Sequence, residues 1–338
     1  MNGNLKSYSV YMLRLRSILK KIYLKLIFFR YVVDDYKHLI YPSKNKAEAI
    51  LLANITREYH RIEKGLGHKD FRFGFGQRAL QELLRYLKKY FEIDLDNNNA
   101  RIQTALSVLH QYIEKHKECN LDLSNVKGIL ERYGFYEKQN ISNRELGGVA
   151  SFSSEEILQM RNGNFLDLSS SRHSVRFFSN LDVSVDVVLD AISIAQNSPS
   201  VCNRQGWKVR LIKSNEKLGL FRRVHNGFAN SSKQNLNCLL VITFRKDFFS
   251  YPVERNQGYT DAGLFSMSLL YSLTHKGLAT CALNANLTRG NEKLVRKSFD
   301  INRNEGLVMF IAVGHYDTIF TSPKSYKDEF KDVVDIML

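Results

Sequence analysis

The residues of this chain best suited to chemistry are Arg172, Ser174 and Arg176, within the segment Arg-His-Ser-Val-Arg-Phe that ends at Phe177. Two guanidinium groups and a hydroxyl lie within five residues, just before a helical pattern that opens near Val183. Planar guanidiniums beside a hydroxyl donor suit a phosphate monoester. A solvated basic turn is the more frequent explanation for such a segment on its own, so other residues must decide between the two.

Two further stretches of small and polar residues follow in the same half of the chain. They are Pro199-Ser-Val-Cys-Asn-Arg-Gln-Gly-Trp207, and Asp261-Ala-Gly263 running through Gly277-Leu-Ala-Thr-Cys281 to Ala312-Val-Gly314. In order and spacing, the three stretches together resemble the nitroreductase family of flavoproteins. Each motif alone is weak, but three in register over about 150 residues are hard to obtain by chance. The resemblance covers roughly residues 165–330, and extended family members carry a similar helical region with a Tyr-His-Arg-Ile-Glu-Lys-Gly-like stretch.

This resemblance implies a homodimer with one FMN in each of two clefts at the subunit interface. It places Arg172 and Ser174 at the FMN phosphate and ribityl chain, and Arg176 near the pyrimidine edge of the flavin. Backbone amides around Thr280 and Cys281 would approach the reactive nitrogen. The position of His173 more often points away from the flavin in this motif, which favours a structural role for it.

The remaining implied contacts come from a loop and from the tail. Asn203 and Gln205 would contact the ring system, and Pro199 with Ser200 would pack on it from the other subunit. Lys324 and Lys327 resemble the late basic pair that completes the phosphate site. The implied cofactor-binding set is therefore Arg172, His173, Ser174, Arg176, Pro199, Ser200, Asn203, Gln205, Thr280, Cys281, Lys324 and Lys327.

The charge requirement of FMN agrees with this placement. Its phosphate carries nearly two negative charges and a reduced flavin adds another, so the site needs several cations in a sheltered cleft. Two departures weaken the expected binding: Gly206 replaces the usual proline and loosens its loop, and lysines replace arginines in the tail. No Gly-x-Gly-x-x-Gly fingerprint is present at Gly65–Gly67 or Phe73–Gly76, but NAD(P)H can bind transiently over a flavin face without one.

The elements around these residues predict an α+β fold. Helical patterns at Val185–Ala195 and 259–276 alternate with strand patterns at Trp207–Ile212, 239–244, 278–283 and 307–313. We therefore expect a nitroreductase-like mixed central sheet flanked by helices. The predicted division is a basic, mainly helical region at 1–145, a Ser- and Gly-rich linker at 146–165 and the FMN-binding domain at 166–338.

The net charge of +15 lies mainly in the N-terminal half, where residues 1–150 carry 26 Lys and Arg against 16 Asp and Glu. Residues 8–33 form a heptad seam of apolar side chains from Tyr8 to Val33, interrupted by basic residues that exclude a membrane span and fit a secretory signal poorly. Two interpretations remain. The favoured one docks this helix on the body or on a second copy, and the other lays it on an anionic membrane surface.

Other polar residues in the helical region give weaker signals. A site at His60 or Glu63 is less favoured than a charged helix face, and His110 and His116 are expected at the surface. The four cysteines, at 119, 202, 238 and 281, show no metal spacing and no disulfide framework, so neither a metal site nor an extracellular setting is expected. By order along the chain, Arg255, Tyr259 and Phe228 are candidates to line the cleft.

Together these features predict an FMN-dependent oxidoreductase that moves hydride between NAD(P)H and an electron-poor organic small molecule by a ping-pong mechanism. The flavin would carry the chemistry, because no catalytic acid or base is evident in the sequence. The alternative is a flavin-fold scaffold whose basic N-terminal half binds a membrane surface, an anionic polymer or a protein partner. Nucleic acid is not expected as a partner, and the predicted location is the cytoplasm, including the inner face of its membrane.

Overall fold

The computed structural model describes residues 15–33, 46–93, 99–119, 121–132, 146–227, 235–249 and 252–337. The described part before residue 133 is helical. Its elements are α1 (15–33), α2 (Lys46–Leu66), α3 (Gln77–Glu92), α4 (Ala100–Lys115) and α5 (Ser124–Arg132). Apolar side chains at helical spacing on α2 to α5 form one buried cluster that includes Ile55, Leu83, Tyr90, Leu109 and Leu130.

The part after residue 146 mixes strands and helices. In chain order its elements are β1 (Val149–Ser153), α6 (Ser154–Met160), α7 (Phe165–Ser171), α8 (Val185–Ala195), β2 (Trp207–Ile212), α9 (Asn215–Val224), β3 (Cys238–Arg245), α10 (Gln257–His275), β4 (Ala279–Asn284), α11 (Arg289–Ser298), β5 (Glu305–Gly314), β6 (Ile319–Pro323) and the short α12 (Phe330–Val333). The predicted α+β class is confirmed, as is the helical character of the region before it.

The central sheet has four strands in the order β2-β3-β5-β4, and every neighbouring pair is antiparallel. Its two faces are covered by separate apolar clusters, one around Phe221 and Phe310 and the other around Phe265 on α10. Strand β3 is buried along almost its whole length, so its sequence reads as a continuous apolar run. The central strands thus form a rigid platform at whose edges the candidate site residues lie.

A second, two-stranded sheet joins the two parts of the chain. Strand β1 pairs with β6, more than 160 residues away, from Val149 with Pro323 to Ser153 with Ile319. Residues 146–165, predicted as a linker from their Ser and Gly content, therefore include β1, α6 and the first residue of α7. The Ser and Gly content of these residues indicates a loop, but β1 forms because it pairs with β6, which is remote in the sequence.

Two carboxylates of α2 are buried, although the sequence favours a charged surface face there. The Glu58 carboxylate accepts hydrogen bonds from Arg57 Nε at 2.8 Å and Arg61 Nη1 at 3.0 Å. That of Glu63 accepts from the backbone N–H of Gly148 at 3.0 Å and lies 3.1 Å from His60 Nδ1. Glu63 thereby fixes the end of α2 to the residue just before β1.

The expectation for His116 is wrong, because this residue is 1% exposed. Its ring stacks on Tyr112 with centroids 4.1 Å apart, and Phe71 and Phe75 lie within 5.7 Å of it. The six-residue spacing between His110 and His116 indicates only that the two histidines do not share a helix face. It carried no information about the aromatic residues of the α2–α3 loop that cover His116.

Helix α1 leaves most of its apolar seam exposed in the single chain. Leu19, Ile22, Leu26 and Phe29 are between 49% and 66% exposed, and one inward contact places the Arg255 guanidinium 4.2 Å from the ring centre of Tyr31. The seam residues Tyr8 and Met12 lie outside the described residues. Among the helices that the structure describes, none is both long and apolar enough to cross a bilayer.

Candidate functional site

The segment that carries Arg172, Ser174 and Arg176 is extended. A capping box between Asn164 and Asp167 fixes the start of α7, and the helix ends at Arg172 with φ −77° and ψ 111°. Val175 N–H then donates to the carbonyl of Thr280 at 2.8 Å, and Ser174 forms a parallel bridge with the same residue. The segment is therefore pinned alongside the start of β4.

An extended backbone sends alternate side chains to opposite faces. On one face, Val175 and Phe177 are buried in the body of the protein. Arg172, Ser174 and Arg176 consequently share the other face and are half-buried. The structure thus places the two arginines and the serine that the sequence singled out along one face of the segment.

His173 lies on the face opposite these three residues. Its ring packs against Phe152 with centroids 4.1 Å apart and meets Phe320 edge-on at 6.1 Å. Burial, and then the nearby positive charge of Arg172, lower the pKa of His173 to about 4. The imidazole is therefore neutral at pH 7 and forms part of an aromatic cluster under the site.

Thr280 and Cys281 of β4 are both buried beside the Arg172–Phe177 segment. Burial raises the pKa of the Cys281 thiol, and the positive charges of Arg176, Lys64 and Arg172 act against that rise. The hydroxyl oxygen of Thr280 is buried and has no hydrogen-bond partner among the described residues. An unpartnered buried hydroxyl is costly, so Thr280 offers a polar contact that a ligand would satisfy.

Lys64 is a residue of this site that the sequence reasoning missed. It lies in the last turn of α2, and it carries one of the three positive charges that act on Cys281. In the described part of the chain, no carboxylate lies within 4.0 Å of Lys64, Arg172 or Arg176. One sequence feature could have indicated Lys64: it directly precedes Gly65-Leu66-Gly67, where small residues end the charged helix and let its last turn lie close to another element.

The loop from Pro199 to Gln205 is held in a strained conformation. Cys202, Asn203 and Gln205 all have φ near +50°, a left-handed conformation that non-glycine residues seldom adopt. Local hydrogen bonds hold it: Gln205 N–H donates to Ser200 Oγ at 3.0 Å, and Gln205 Nε2 donates to Asn203 Oδ1 at 2.9 Å. Val201 N–H donates to the buried Asp261 carboxylate at 3.3 Å, which ties the loop to α10. Strain of this kind is common at ligand-binding loops.

This loop and the arginine segment lie at opposite corners of the central sheet. Trp207, just after the loop, pairs with Phe244 and through it with Gly306 on β5, whereas Thr280 pairs with Val313. The seven residues from Gly306 to Val313 span about 23 Å of strand, and the edge strands β2 and β4 are about 14 Å apart. Within one chain, the two halves of the predicted FMN site are therefore separate.

The tail lysines follow β6 and lie near the helical region. The backbone N–H of Lys324 donates to the carbonyl of Gly148 at 3.1 Å, and Ser325 has φ 51°. Lys327 is exposed, and its neighbour Asp328 pairs with Arg101 on α4 at 2.5 Å. The tail is thus anchored to α4, a helix of the predicted N-terminal helical region.

A cleft of about 610 Å³ begins two residues beyond Thr280 and runs along the exposed end of β4. Tyr259 lines this cleft, which contains none of the predicted FMN-binding residues, and Phe228 lies outside the described residues. A polar run that follows the buried part of a strand, Asn284 to Asn286 at the end of β4, is the sequence feature that indicates this cleft. Its lining is Lys246, Tyr259, Ala282, Leu283, Asn284, Ala285, Asn286, Glu292, Arg296, Gly306, Leu307, Val308 and Met309.

Residues 170–315 match the sequence model of the nitroreductase family. The matched range begins two residues before Arg172 and ends after β5, so it includes the arginine segment, the Pro199–Gln205 loop and Thr280. None of the curated proteins matches the chain.

Several solved structures are similar to about half of the chain. A nitroreductase family protein from Streptococcus pneumoniae TIGR4 is 20% identical, with a TM-score of 0.44 and coverage of 52% of this chain and 100% of that one. An FMN-dependent nitroreductase from Clostridium difficile R20291 is 16% identical over 49% of this chain and 92% of its own, with a TM-score of 0.39. A nitroreductase with bound FMN from Desulfitobacterium hafniense DCB-2 is 17% identical over 51% and 97%, with a TM-score of 0.37. The part of the chain that matches the nitroreductase family model, residues 170–315, is thus the part that carries the arginine motif and β4.

Proposed function

We propose that this chain is an FMN-dependent oxidoreductase that transfers hydride between NAD(P)H and an electron-poor organic small molecule by a ping-pong mechanism. The observation that carries the proposal is the group of cations beside β4. Arg172, Arg176 and Lys64 lie near Cys281 without a carboxylate within 4.0 Å in the described part of the chain. Such a group is costly unless it binds an anion.

The residues fit FMN in charge and in length. Four residues of extended chain separate Arg172 from Arg176, which is about 13 Å. That distance exceeds the width of one phosphate, so we assign the two guanidiniums to different ends of the ligand. Arg172 and Ser174 bind the phosphate, and Arg176 faces the pyrimidine edge. The buried hydroxyl of Thr280 lies between them and supplies a hydrogen bond to the ligand.

FMN supplies the hydride chemistry, and the protein binds, orients and shelters it. Arg176 opposes the negative charge that a reduced flavin carries on its pyrimidine edge. His173 is neutral at pH 7 and buried among aromatic rings, so it supports the segment without moving a proton. No dinucleotide fingerprint is needed, because NAD(P)H and the acceptor occupy the same open face in turn.

The separation of the two half-sites favours a homodimer. The Pro199–Gln205 loop lies at the opposite corner of the sheet from Arg172 and Thr280, and Asn203 and Gln205 point exposed polar groups outward. A symmetric dimer brings the loop of one copy to the arginine segment of the other and forms two equivalent sites. Pro199 and Ser200 then pack on the flavin across the interface.

The direct test is the colour of the purified full-length protein. We expect a yellow flavin spectrum, release of FMN on denaturation, and loss of the visible absorption band of the flavin when NAD(P)H is added without oxygen. A protein that stays colourless after incubation with FMN would refute the proposal. A flavin that binds but is not bleached by either NADH or NADPH would remove the assigned reductant.

A second candidate function rests on the exposed face of α1. This helix presents apolar side chains and Arg16, Lys20, Lys21, Lys25 and Arg30 to solvent in the single chain. That combination suits an anionic membrane surface at the cytoplasmic face, alongside the FMN activity. Sedimentation with phosphatidylserine vesicles at low salt, lost on deletion of residues 1–33, supports it. Absence of sedimentation at low salt refutes membrane binding and favours a second copy of the chain as the partner that covers the exposed face of α1.

A further inference from the structure

Lys64 lies where the helical region meets the candidate FMN site, and its neighbours are fixed on both sides. Before it, the fully buried Glu63 carboxylate accepts from Gly148 N–H at 3.0 Å. After it, the carbonyl of Gly67 accepts from Thr321 Oγ1 at 2.9 Å. The end of α2 is therefore held firmly against β1 and β6.

A ring contact brings this same turn to the arginine segment. His68 meets Phe177 edge-on with ring centroids 4.9 Å apart. Phe177 directly follows Arg176, and neighbouring side chains of an extended segment lie on opposite faces. The contact fixes the position of the α2 end relative to the backbone that carries Arg176.

The surroundings of Lys64 are positive and partly desolvated. Burial, followed by the positive charges of Arg176 and Arg61, lowers the pKa of the Lys64 ammonium. Arg61 has a partner, since its Nη1 lies 3.0 Å from the Glu58 carboxylate. Lys64 has no hydrogen-bond or ion-pair partner among the described residues. A half-buried ammonium beside a guanidinium raises the free energy of the ligand-free fold, which is typical of groups placed for a ligand.

We propose that Lys64 is a cofactor-binding residue of this enzyme, and that its ammonium faces the pyrimidine edge of FMN together with Arg176. This inference rests on the FMN-dependent function proposed above. The turn that follows Lys64 contacts Phe177, which is next to Arg176 and five residues beyond Arg172, so Lys64 belongs to the flavin end of the ligand. The helical region then completes the active site instead of serving as a separate binding module.

The test compares FMN binding and reduction potential in the full-length protein and in Lys64→Met. Loss of a hydrogen bond to a charged group predicts oxidised-FMN binding about tenfold weaker. Reduced FMN carries the extra negative charge that Lys64 opposes, so its binding weakens by roughly a further tenfold. That difference lowers the two-electron reduction potential of the bound flavin by about 30 mV.

Lys64→Arg keeps the charge and should retain most of the affinity and the potential. Lys64→Gln measures the same loss if the Met variant does not fold. Lys89→Met is the matched control, because Lys89 is an exposed lysine in the last turn of α3 and its removal takes away an equal charge. We expect wild-type FMN affinity and potential in Lys89→Met.

If Lys64 had a purely structural role, its replacement by Met would lower the unfolding temperature of the FMN-free protein. Because Lys64 is a half-buried cation beside Arg176, we expect FMN-free Lys64→Met to unfold at a temperature at least as high as FMN-free wild type. Lower thermal stability with unchanged FMN affinity and potential would overturn the inference. Weaker FMN binding with an unchanged potential would also overturn it, because Lys64 would then face another part of the ligand.

The outcomes also separate this inference from the proposed function. A wild-type protein that does not bind FMN refutes both. A wild-type protein that binds FMN, with Lys64→Met and Lys64→Gln matching it in affinity and potential, refutes the role of Lys64 alone.

Discussion

Three side chains on one face of an extended segment form the centre of the candidate site. Arg172, Ser174 and Arg176 share that face because residues of an extended chain alternate, and the intervening His173 and Val175 are turned toward the body. The bridge from Ser174 to Thr280 holds the segment against β4. The local sequence determines which residues share this face, and the bridge to Thr280 determines the orientation of the segment.

Arg172→Ala and Ser174→Ala should each weaken FMN binding. A hydrogen bond to a charged group is worth about 1–3 kcal/mol, which is roughly five- to hundredfold in the FMN dissociation constant. Titration of flavin fluorescence measures it. Arg223→Ala removes an exposed arginine of α9 and serves as the control. Wild-type affinity in both site variants would mean that the phosphate lies elsewhere.

His173 should make the protein acid-sensitive. Its pKa is about 4 in the folded chain and about 6.5 in the unfolded chain, so protons bind the unfolded chain more readily. The stability that depends on neutral His173 is fully present above pH 6.5 and is lost as pH falls toward 4. His173→Phe keeps an aromatic ring beside Phe152 without a titrating group.

Urea unfolding of wild type and His173→Phe at pH 7, 6, 5 and 4 measures this effect. We expect the wild type to lose more stability than the variant over this range. Equal losses in the two proteins would contradict the burial of a neutral imidazole at this position.

At the scale of elements, one buried carboxylate joins three strands of the central sheet. Glu305 begins β5, is 4% exposed, and pairs with both terminal nitrogens of Arg210 on β2 at 2.7 Å. Thr243 on β3 donates its hydroxyl to the same carboxylate at 2.6 Å. Burial alone would raise the pKa of Glu305, but these hydrogen bonds and the charges of Arg210 and Lys208 lower it to about 2.

Glu305→Gln should destabilise the fold by about 3 kcal/mol at pH 7, because it leaves the Arg210 guanidinium half-buried without its counter-charge. The pKa of Glu305 is lower when folded, so its contribution is present above pH 4.5 and is lost as pH falls toward 2. The stability difference from wild type should therefore shrink in acid. Glu216→Gln, at an exposed carboxylate of α9, is the control, and a loss of similar size there would contradict the assignment.

At the scale of the whole molecule, the two predicted halves of the FMN site lie far apart within one chain. The strained Pro199–Gln205 loop and the arginine segment occupy opposite corners of one sheet, separated by about 23 Å along β5 and 14 Å across it. No side chain bridges that distance. The helical region approaches from a third direction, through the end of α2.

Mixed dimers should recover activity from two inactive parents. We expect Arg172→Ala and Asn203→Ala homodimers to be impaired, since each damages both sites. A heterodimer of the two carries both substitutions in one site and none in the other. Random exchange makes about half of the dimers heterodimers, so turnover should recover to about a quarter of wild type.

The measurement is NAD(P)H oxidation with an excess quinone acceptor, after the variants are unfolded and refolded together with FMN. Co-refolding two portions of Arg172→Ala is the control and should give no recovery. No recovery in the mixture would mean that each site forms within one chain.

The sequence by itself determined the fold class, the family resemblance and the identity of the arginine segment. Those follow from residue types and local spacing: strand patterns at Trp207–Ile212 and 307–313 and the alternation of Arg172, Ser174 and Arg176 are properties of the chain alone. Helices α9 and α11 were not predicted because each is polar on average and buries few residues, among them Phe221 in α9 and Val295 in α11. His116 was predicted at the surface because its burial depends on Phe71 and Phe75, which lie outside its helix.

Only the tertiary structure decided which residues meet. The pairing of β1 with β6 and the hydrogen bond from Gly148 to Glu63 hold the end of α2 in place, and the turn after it contacts Phe177 of the arginine segment. Such contacts join residues more than 80 positions apart, and no local pattern encodes them because strand pairing is chosen by the burial of the whole core. Because such long-range contacts leave no local pattern, residues 1–145 were predicted as a separate region, whereas in the fold the last turn of α2 lies next to the candidate site.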